Sequence, residues 1–457
     1  MPTKILIPAG VLGLGFDQAA LARGVAAQPD IICIDGGSTD SGPFYLGTGT
    51  SKYARSVCRS EWRALMLARA DAGVPLVIGS CGTCGTRETV DWMYEITCEI
   101  AAELGQSLTI ARLYSDQTAP DIIAAHDAGL LSPLVPAPPL DAEAITACTH
   151  IVALAGAEQI QAALQTGADI ILAGRTTDTA TIAALPLSCS DHAGGAWHGA
   201  KIGECGAFCT NNPASGVVMI TFDETGFEVE PMAVDAVCTP HSVSAHMLYE
   251  NSDPFILHEP GGHLDVTEAR YTAIDDRRVR VEGSLWVPAD AYRVKLEAAR
   301  IGGYQTTMMA VIRDPHYVAH ADQWLEDLTS FLHRKIATTT SLERDDFTLE
   351  FRLIGRNAAL GALEDGVGTP LEVGVLLIIT AMDQETATDL SKVINPFLLH
   401  HPLTAHEDLP TFAFPYSPAH TDRGALYEFA MNHVLEISDP MDGFTLAVDE
   451  VVDGKAG

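Results

Sequence analysis

Basic residues are scarce in this sequence, so those set among small residues are the first candidates for chemistry. In GRTTDTATIAALPL (residues 174–187), Arg175 offers a planar guanidinium that can grip a carboxylate through two hydrogen bonds, and Asp178 follows three residues later. Helix capping by Thr177 or Asp178 is the plainer reading of the same segment. DGGSTDSGP (35–43) sets two carboxylates, Asp35 and Asp40, beside the hydroxyls of Ser38 and Thr39. Its glycines let backbone amides approach a ligand, and the hydroxyls add donors. GSCGTCGTRE (79–88) supplies Ser80, Thr83 and Arg87 ahead of a helix start, where free amides and the helix dipole suit an anion. GVLGLGF (10–16) is a fourth glycine-rich loop. Its spacing, GxxGxG, is not the dinucleotide pattern GxGxxG, and a tight strand-to-helix turn explains it equally well.

Proton transfer has its own candidates. HGAKIGECGA (198–207) places Lys201 and Glu204 three apart among glycines and alanines. ENSDPFILHEPGGHLD (250–265) gathers His258, Glu259, His263 and Asp265 around Pro260, Gly261 and Gly262. Those side chains are candidate ligands for a divalent metal ion, and His263 is also a candidate acid or base. With 16 histidines in the chain, an ordinary surface role competes for each. In AYRVKLEA (291–298), strict alternation puts Arg293, Lys295 and Glu297 on one strand face. Lys295 is either solvated or aimed into a site, where a lysine freed of water serves as base or Schiff-base former. The pairs Cys81/Cys84 and Cys205/Cys209 contain the makings of a four-cysteine zinc site. A strand–helix loop is a poor frame for a zinc knuckle, so small buried thiols are the preferred reading.

These loops need a frame that brings them together. Apolar runs at residues 4–8, 29–35, 74–79, 149–156 and 168–174 alternate with helical patterns. That texture predicts an α/β domain over residues 1–212, with a mostly parallel, doubly wound sheet. Ligands bind such sheets at the carboxyl ends of the strands. Asp35, Gly79 and Gly174 are therefore expected at strand ends, with the four loops lining one crevice and Lys201 and Lys295 approaching it. A β-rich segment (213–300) and an α+β domain (301–457) are expected to follow.

The balance of 27 basic against 60 acidic residues gives a net charge of −33, and 47% of residues are hydrophobic. The apolar content excludes a disordered chain, and the charge repels nucleic acid and anionic lipid. No apolar run approaches the length of a bilayer span. The opening MPTKILIPAG lacks the marks of a secretory signal, and ten scattered cysteines suit a reducing compartment. A cytoplasmic protein, expected to be a homo-oligomer, fits these features.

Four long segments, GADIILAGRTTDTATIAALPL, WHGAKIGECGA, SAHMLYENSDPFILHEPGGHLDV and FAFPYSPAHTDRGALYEFAMNHV, resemble the acyclic terpene utilisation (AtuA-like) family. The resemblance runs from the first glycine loop to Pro418. It implies a role in catabolism of branched carboxylic acids and terpenoids, and some members carry lyase labels. Relatives tend to have small residues where this chain has Cys81 and Cys84. Some carry or accompany a small extra domain, which implies a small partner subunit. Two function classes remain. One is a lyase of hydratase or dehydratase type acting on a small carboxylic acid or its CoA thioester. Arg175 and the 79–87 loop would then grip the anion, and Lys201, Lys295, His263 or Asp40 would move protons. Asp35, Ser38, Thr39, Ser80, Thr83, Asp178 and Glu204 would line the substrate, and a divalent ion is an optional helper. The other is a non-catalytic subunit that binds an acyl ligand or a partner. A hydrolase is disfavoured because the chain has no GxSxG elbow.

Overall fold

Five short apolar strands lie side by side and parallel, in the order Thr3–Ile7, Ile31–Asp35, Leu76–Gly79, Ile170–Ala173 and Leu108–Tyr114. In this computed structural model, residues 2–189, 191–365 and 368–452 are described, and 455–456 for the backbone alone. Alternate residues of the strands enter two separate cores. Ile5, Cys33, Val77, Ala111 and Ile171 pack with the helices Ala157–Gln165, Ala180–Ser188 and Ala193–Gly203. Leu6, Ile34, Ile78, Ile110 and Leu172 pack with Gln18–Ala26, Arg55–Ala72 and Arg87–Leu104. Burial on both faces explains why the strands read as continuous apolar runs.

The strands that residues 1–212 give to this sheet are parallel, as expected for that range, but the sheet as a whole is mixed because later strands join it. Val218–Phe222, Gly226–Pro231, Val279–Glu282 and Arg270–Ala273 extend it antiparallel from the Thr3–Ile7 edge. Thr445–Val452 extends it antiparallel beyond Leu108–Tyr114. The cause is local in the first case. Asp223 accepts hydrogen bonds from the amides of Thr225 and Gly226, closing a tight turn that can join only antiparallel neighbours. Strands beyond residue 212 thus continue the sheet begun before it. The Cys148–Ala153 run is a strand, but it leaves this sheet and pairs antiparallel with residues 296–300 of the long Tyr292–Ile312 strand. Its first half is polar and incompletely buried, unlike the central strands.

By compactness the chain parts into residues 1–300 with 429–457, and residues 301–428. In the second unit, residues 304–312 and the strands Val373–Ala381 and Phe347–Ile354 form an antiparallel sheet. Its core includes Trp324, Leu328 and Leu332 of the Ala321–Thr339 helix and Leu390 and Ile394 of Gln384–His400. Among the described residues no helix is long and apolar enough to cross a membrane.

Asp35 and Gly79 end their strands, and Gly174 directly follows Ala173, so three loops leave the same edge of the sheet. They touch backbone to backbone. The Gly36 amide donates to the Gly79 carbonyl at 2.8 Å, and a Cβ on Gly36 would lie 2.2 Å from the Ser80 carbonyl oxygen. Gly36→Ala is therefore expected to destabilise the protein by about 1–3 kcal/mol, the usual cost of overpacking. Thermal unfolding checks this, and an unchanged Tm would mean the loops separate without strain.

Candidate functional site

The four loops meet around a small polar pocket of about 180 Å³. Gly10 and Leu14 come from the first loop, Asp35, Ser38 and Asp40 from the second, Thr83 from the third and Asp178 from the fourth. Lys52, Tyr53, Glu204, Cys205, Tyr249 and Glu250 also line it. Ser38, Asp40 and Glu250 also border a larger cleft of about 530 Å³, with Thr39, Arg175, Lys295 and Glu297. Lys295 further borders a third cavity of about 400 Å³, where Leu134, Leu154, Pro260, Ala289 and Val434 are joined by His258 and Glu259. Sequence spacing brought the loops to one crevice. The apolar chamber next to it takes part of its wall, His258 to Gly262, from a segment the sequence singled out, whereas nothing in the sequence marked Leu134, Leu154, Ala289 or Val434 as site residues.

Arg175 anchors the larger cleft, though not with a free guanidinium. It is 5% exposed. Its Nε donates to Glu297 Oε2 at 3.0 Å, and one terminal nitrogen donates to Ser80 Oγ at 2.9 Å and the Thr176 carbonyl at 3.0 Å. Asp178 stands 3.7 Å away. Glu297 accepts in addition from Thr39 Oγ1 at 2.9 Å and from Lys295 Nζ at 3.1 Å. Burial alone would raise the Glu297 carboxyl, but Arg175 and then Lys295 outweigh it and hold it at about 2, below the ordinary 4.5. The side chain of Lys295 remains 42% exposed. Its ammonium therefore faces the cleft while its charge is anchored from behind.

Other carboxyls are pushed the opposite way. Burial, then the neighbouring Asp178, raise Asp35 well above the usual carboxylate range despite Arg175. Burial also raises Glu204 to about 8 and Glu259 to about 7. Glu259 accepts a hydrogen bond from Thr179 Oγ1, and its other oxygen is buried with no hydrogen-bond partner. Lys201 is buried, with its ammonium on Glu204 Oε1 and, at 2.9 Å, on the Tyr249 carbonyl oxygen. Lys201 itself does not line the small pocket, although both of its partners, Glu204 and Tyr249, do. His198, three residues earlier, belongs to the core: Nδ1 meets Ser284 Oγ and Nε2 meets the Tyr271 hydroxyl.

Several sequence candidates lie apart from the crevice. Arg87 is exposed and stacks over Tyr114 at 4.0 Å. Its amide, at the helix start, donates to Asp116 at 3.0 Å, so the anion taken there is the protein's own. His258 and His263 face each other across a hairpin, with ring centres 5.6 Å apart. Asp265 accepts from the Thr267 amide at 2.8 Å, and among the described residues these side chains and Glu259 do not converge as a metal cluster. Cys81 and Cys84 are buried within their turn and belong to no such cluster either.

Sequence reasoning passed over Glu297 as a site residue, although its alternation with Lys295 was visible. It also did not single out His246, Tyr249 and Glu250, although all three lie in the quoted segment SAHMLYENSDPFILHEPGGHLDV. Backbone geometry supplies a signal in hindsight. Ser80, Thr83 and Glu250 adopt φ of 44°, 84° and 52°, a region that residues with a Cβ occupy at a cost, and all three border this region of the protein.

A sequence model described as acyclic terpene utilisation family protein AtuA matches residues 48–421, most of the chain. No curated protein and no solved structure matches it.

Replacing Glu297 by glutamine keeps its shape but leaves the buried Arg175 with only the half-buried Asp178, 3.7 Å away, as counter-charge. Glu297→Gln should cost about 3–5 kcal/mol. The sign with pH follows from the lowered carboxyl. Its stabilisation is complete above the ordinary 4.5 and is lost as pH falls towards about 2. Urea unfolding should show the gap between wild type and variant shrinking as the solution is acidified. A gap that stays constant would show that Glu297 does not hold its charge for Arg175.

Proposed function

The chain belongs to the acyclic terpene utilisation family, implicated in acyclic terpene catabolism, and from that premise we propose a catabolic lyase of hydratase or dehydratase type. Its substrate class is a small carboxylic acid or the corresponding CoA thioester. One observation carries this reading: Lys295 presents an exposed ammonium to both the polar cleft and the apolar chamber, with Glu297 fixing it from behind.

Elimination of water breaks a C–H bond beside the carbonyl and a C–O bond one carbon away, and forms a C=C bond between them. Charge develops on the carbonyl oxygen as the proton leaves. A cation in a partly dry cleft stabilises that charge more strongly than it would in water. Lys295 fills this role and receives the carboxylate or thioester oxygen. Asp40, exposed on the polar side, accepts the proton. Glu259, in the chamber wall with a carboxyl near neutrality, supplies a proton to the departing hydroxyl. The aliphatic lining suits the hydrocarbon part of the acyl group. Arg175 keeps Glu297 and the loop ends in place rather than gripping substrate.

Screening hydroxy acids and their thioesters for gain or loss of water tests the proposal. Asp40→Asn and Glu259→Gln should each lower kcat by about 10²–10⁴-fold. Lys295→Met should lower kcat and raise KM together, because it contacts the same oxygen in ground and transition states. Wild-type kinetics in all three variants would overturn the assignment. Acyl-ligand binding without turnover in the wild type would favour the non-catalytic subunit instead.

A further inference from the structure

At the small pocket lies a cluster that the chemistry assigned to Lys295, Asp40 and Glu259 leaves unused. Glu204 and Cys205 directly follow the Ala193–Gly203 helix, and His246 follows the Pro240–Ala245 helix. A carboxylate oxygen of Glu204, the Sγ of Cys205 and a ring nitrogen of His246 lie within 4.8 Å of one another. Donors around one tetrahedral ion at bond lengths of about 2.0–2.3 Å stand about 3.3–3.8 Å apart, so side-chain shifts of about 1 Å bring these three onto one ion.

A second observation is independent of that spacing. His246 is 5% exposed, and its Nε2 is buried without a hydrogen-bond partner. A dry polar atom left unpaired costs free energy, and a cation would satisfy it. The surroundings also favour positive charge. Three carboxyl side chains, Asp40, Asp178 and Glu250, line the same pocket and outnumber the two ammonium groups, Lys52 in the lining and Lys201 beside Glu204.

We propose that Glu204, Cys205 and His246 bind one divalent cation of zinc-like preference, with a fourth position open to the pocket. Oxygen, sulfur and imidazole nitrogen in one set select zinc or a similar borderline metal over magnesium or calcium, which take oxygen ligands. On binding, a metal–sulfur bond replaces the S–H bond of Cys205 and the proton passes to solvent. Glu204 keeps Lys201 on Oε1 and coordinates through Oε2. Because Glu204 and Cys205 line the pocket, the open position meets whatever enters between the four loops. These donors are distinct from Lys295, Asp40 and Glu259, so the metal site and the catalytic assignment stand or fall separately.

The full-length protein, stripped with a chelator, is loaded with Zn²⁺ or Co²⁺ alone and dialysed. One bound equivalent is expected, and the cobalt form should show a thiolate-to-metal charge-transfer band with tetrahedral ligand-field absorption. Cys205→Ser and His246→Gln should each weaken binding by more than about 100-fold, the upper end of what even outer-shell partners of a metal site contribute. The double variant Cys81→Ser, Cys84→Ser and, separately, Lys295→Met should bind as wild type does. If the ligand variants fail to fold, the cobalt spectrum of the wild type decides alone. Absence of stoichiometric binding, absence of a thiolate band, or unchanged affinity in folded Cys205→Ser would each overturn the proposal.

Discussion

Arg175 and Glu297 meet at 3.0 Å with almost no water around them, and removing two such ions from water costs several kcal/mol each unless their hydrogen-bonding capacity is used. Here it is used. Ser80 and the Thr176 carbonyl take the guanidinium, while Thr39 and Lys295 supply donors to the carboxylate. Each partner comes from a different stretch of chain. One ion pair therefore fixes the second, third and fourth loops against the Tyr292–Ile312 strand, and the cleft exists because those segments cannot move apart without stranding a charge.

The same constraint explains the unusual backbone nearby. Loops that converge on one buried group must pass within van der Waals contact of each other. Gly85, at φ 62°, leaves room for the Arg175 amide, to which a Cβ would come within 2.1 Å. Where a side chain is needed, as at Ser80 and Thr83, the chain accepts a left-handed conformation instead. Carboxyls crowd the remaining space. In a protein of net charge −33, affinity for an anion must come from a locally supported cation, and Lys295 has that support.

The sheet's centre and the meeting of the loops were legible because both depend on local pattern. Ile31–Asp35 reads as a doubly buried strand from its composition, and a loop of Asp, Ser, Thr and Gly at its carboxyl end reads as a site. The antiparallel strands that widen the sheet were not legible as part of it, since strand pairing across 200 or more residues leaves no local trace. Arg175 illustrates the sharper limit. Its position in a site-like loop was visible, but its partner lies 122 residues away on another strand. The sequence therefore suggested an anion grip where the fold uses an internal counter-ion. Arg87 repeats the lesson with Asp116, 29 residues on.

Thr445–Val452 borders Leu108–Tyr114, and residues 429–434 include part of the wall of the larger cleft. During synthesis these segments leave the ribosome more than 300 residues after the strand they must cover. At about 5–20 residues per second, that interval is on the order of tens of seconds. Through it the nascent chain carries a bare strand edge, with unpaired amides and carbonyls able to recruit a neighbouring chain. A protein built this way needs chaperone shielding from the moment Leu108–Tyr114 emerges until residues 445–452 have followed it.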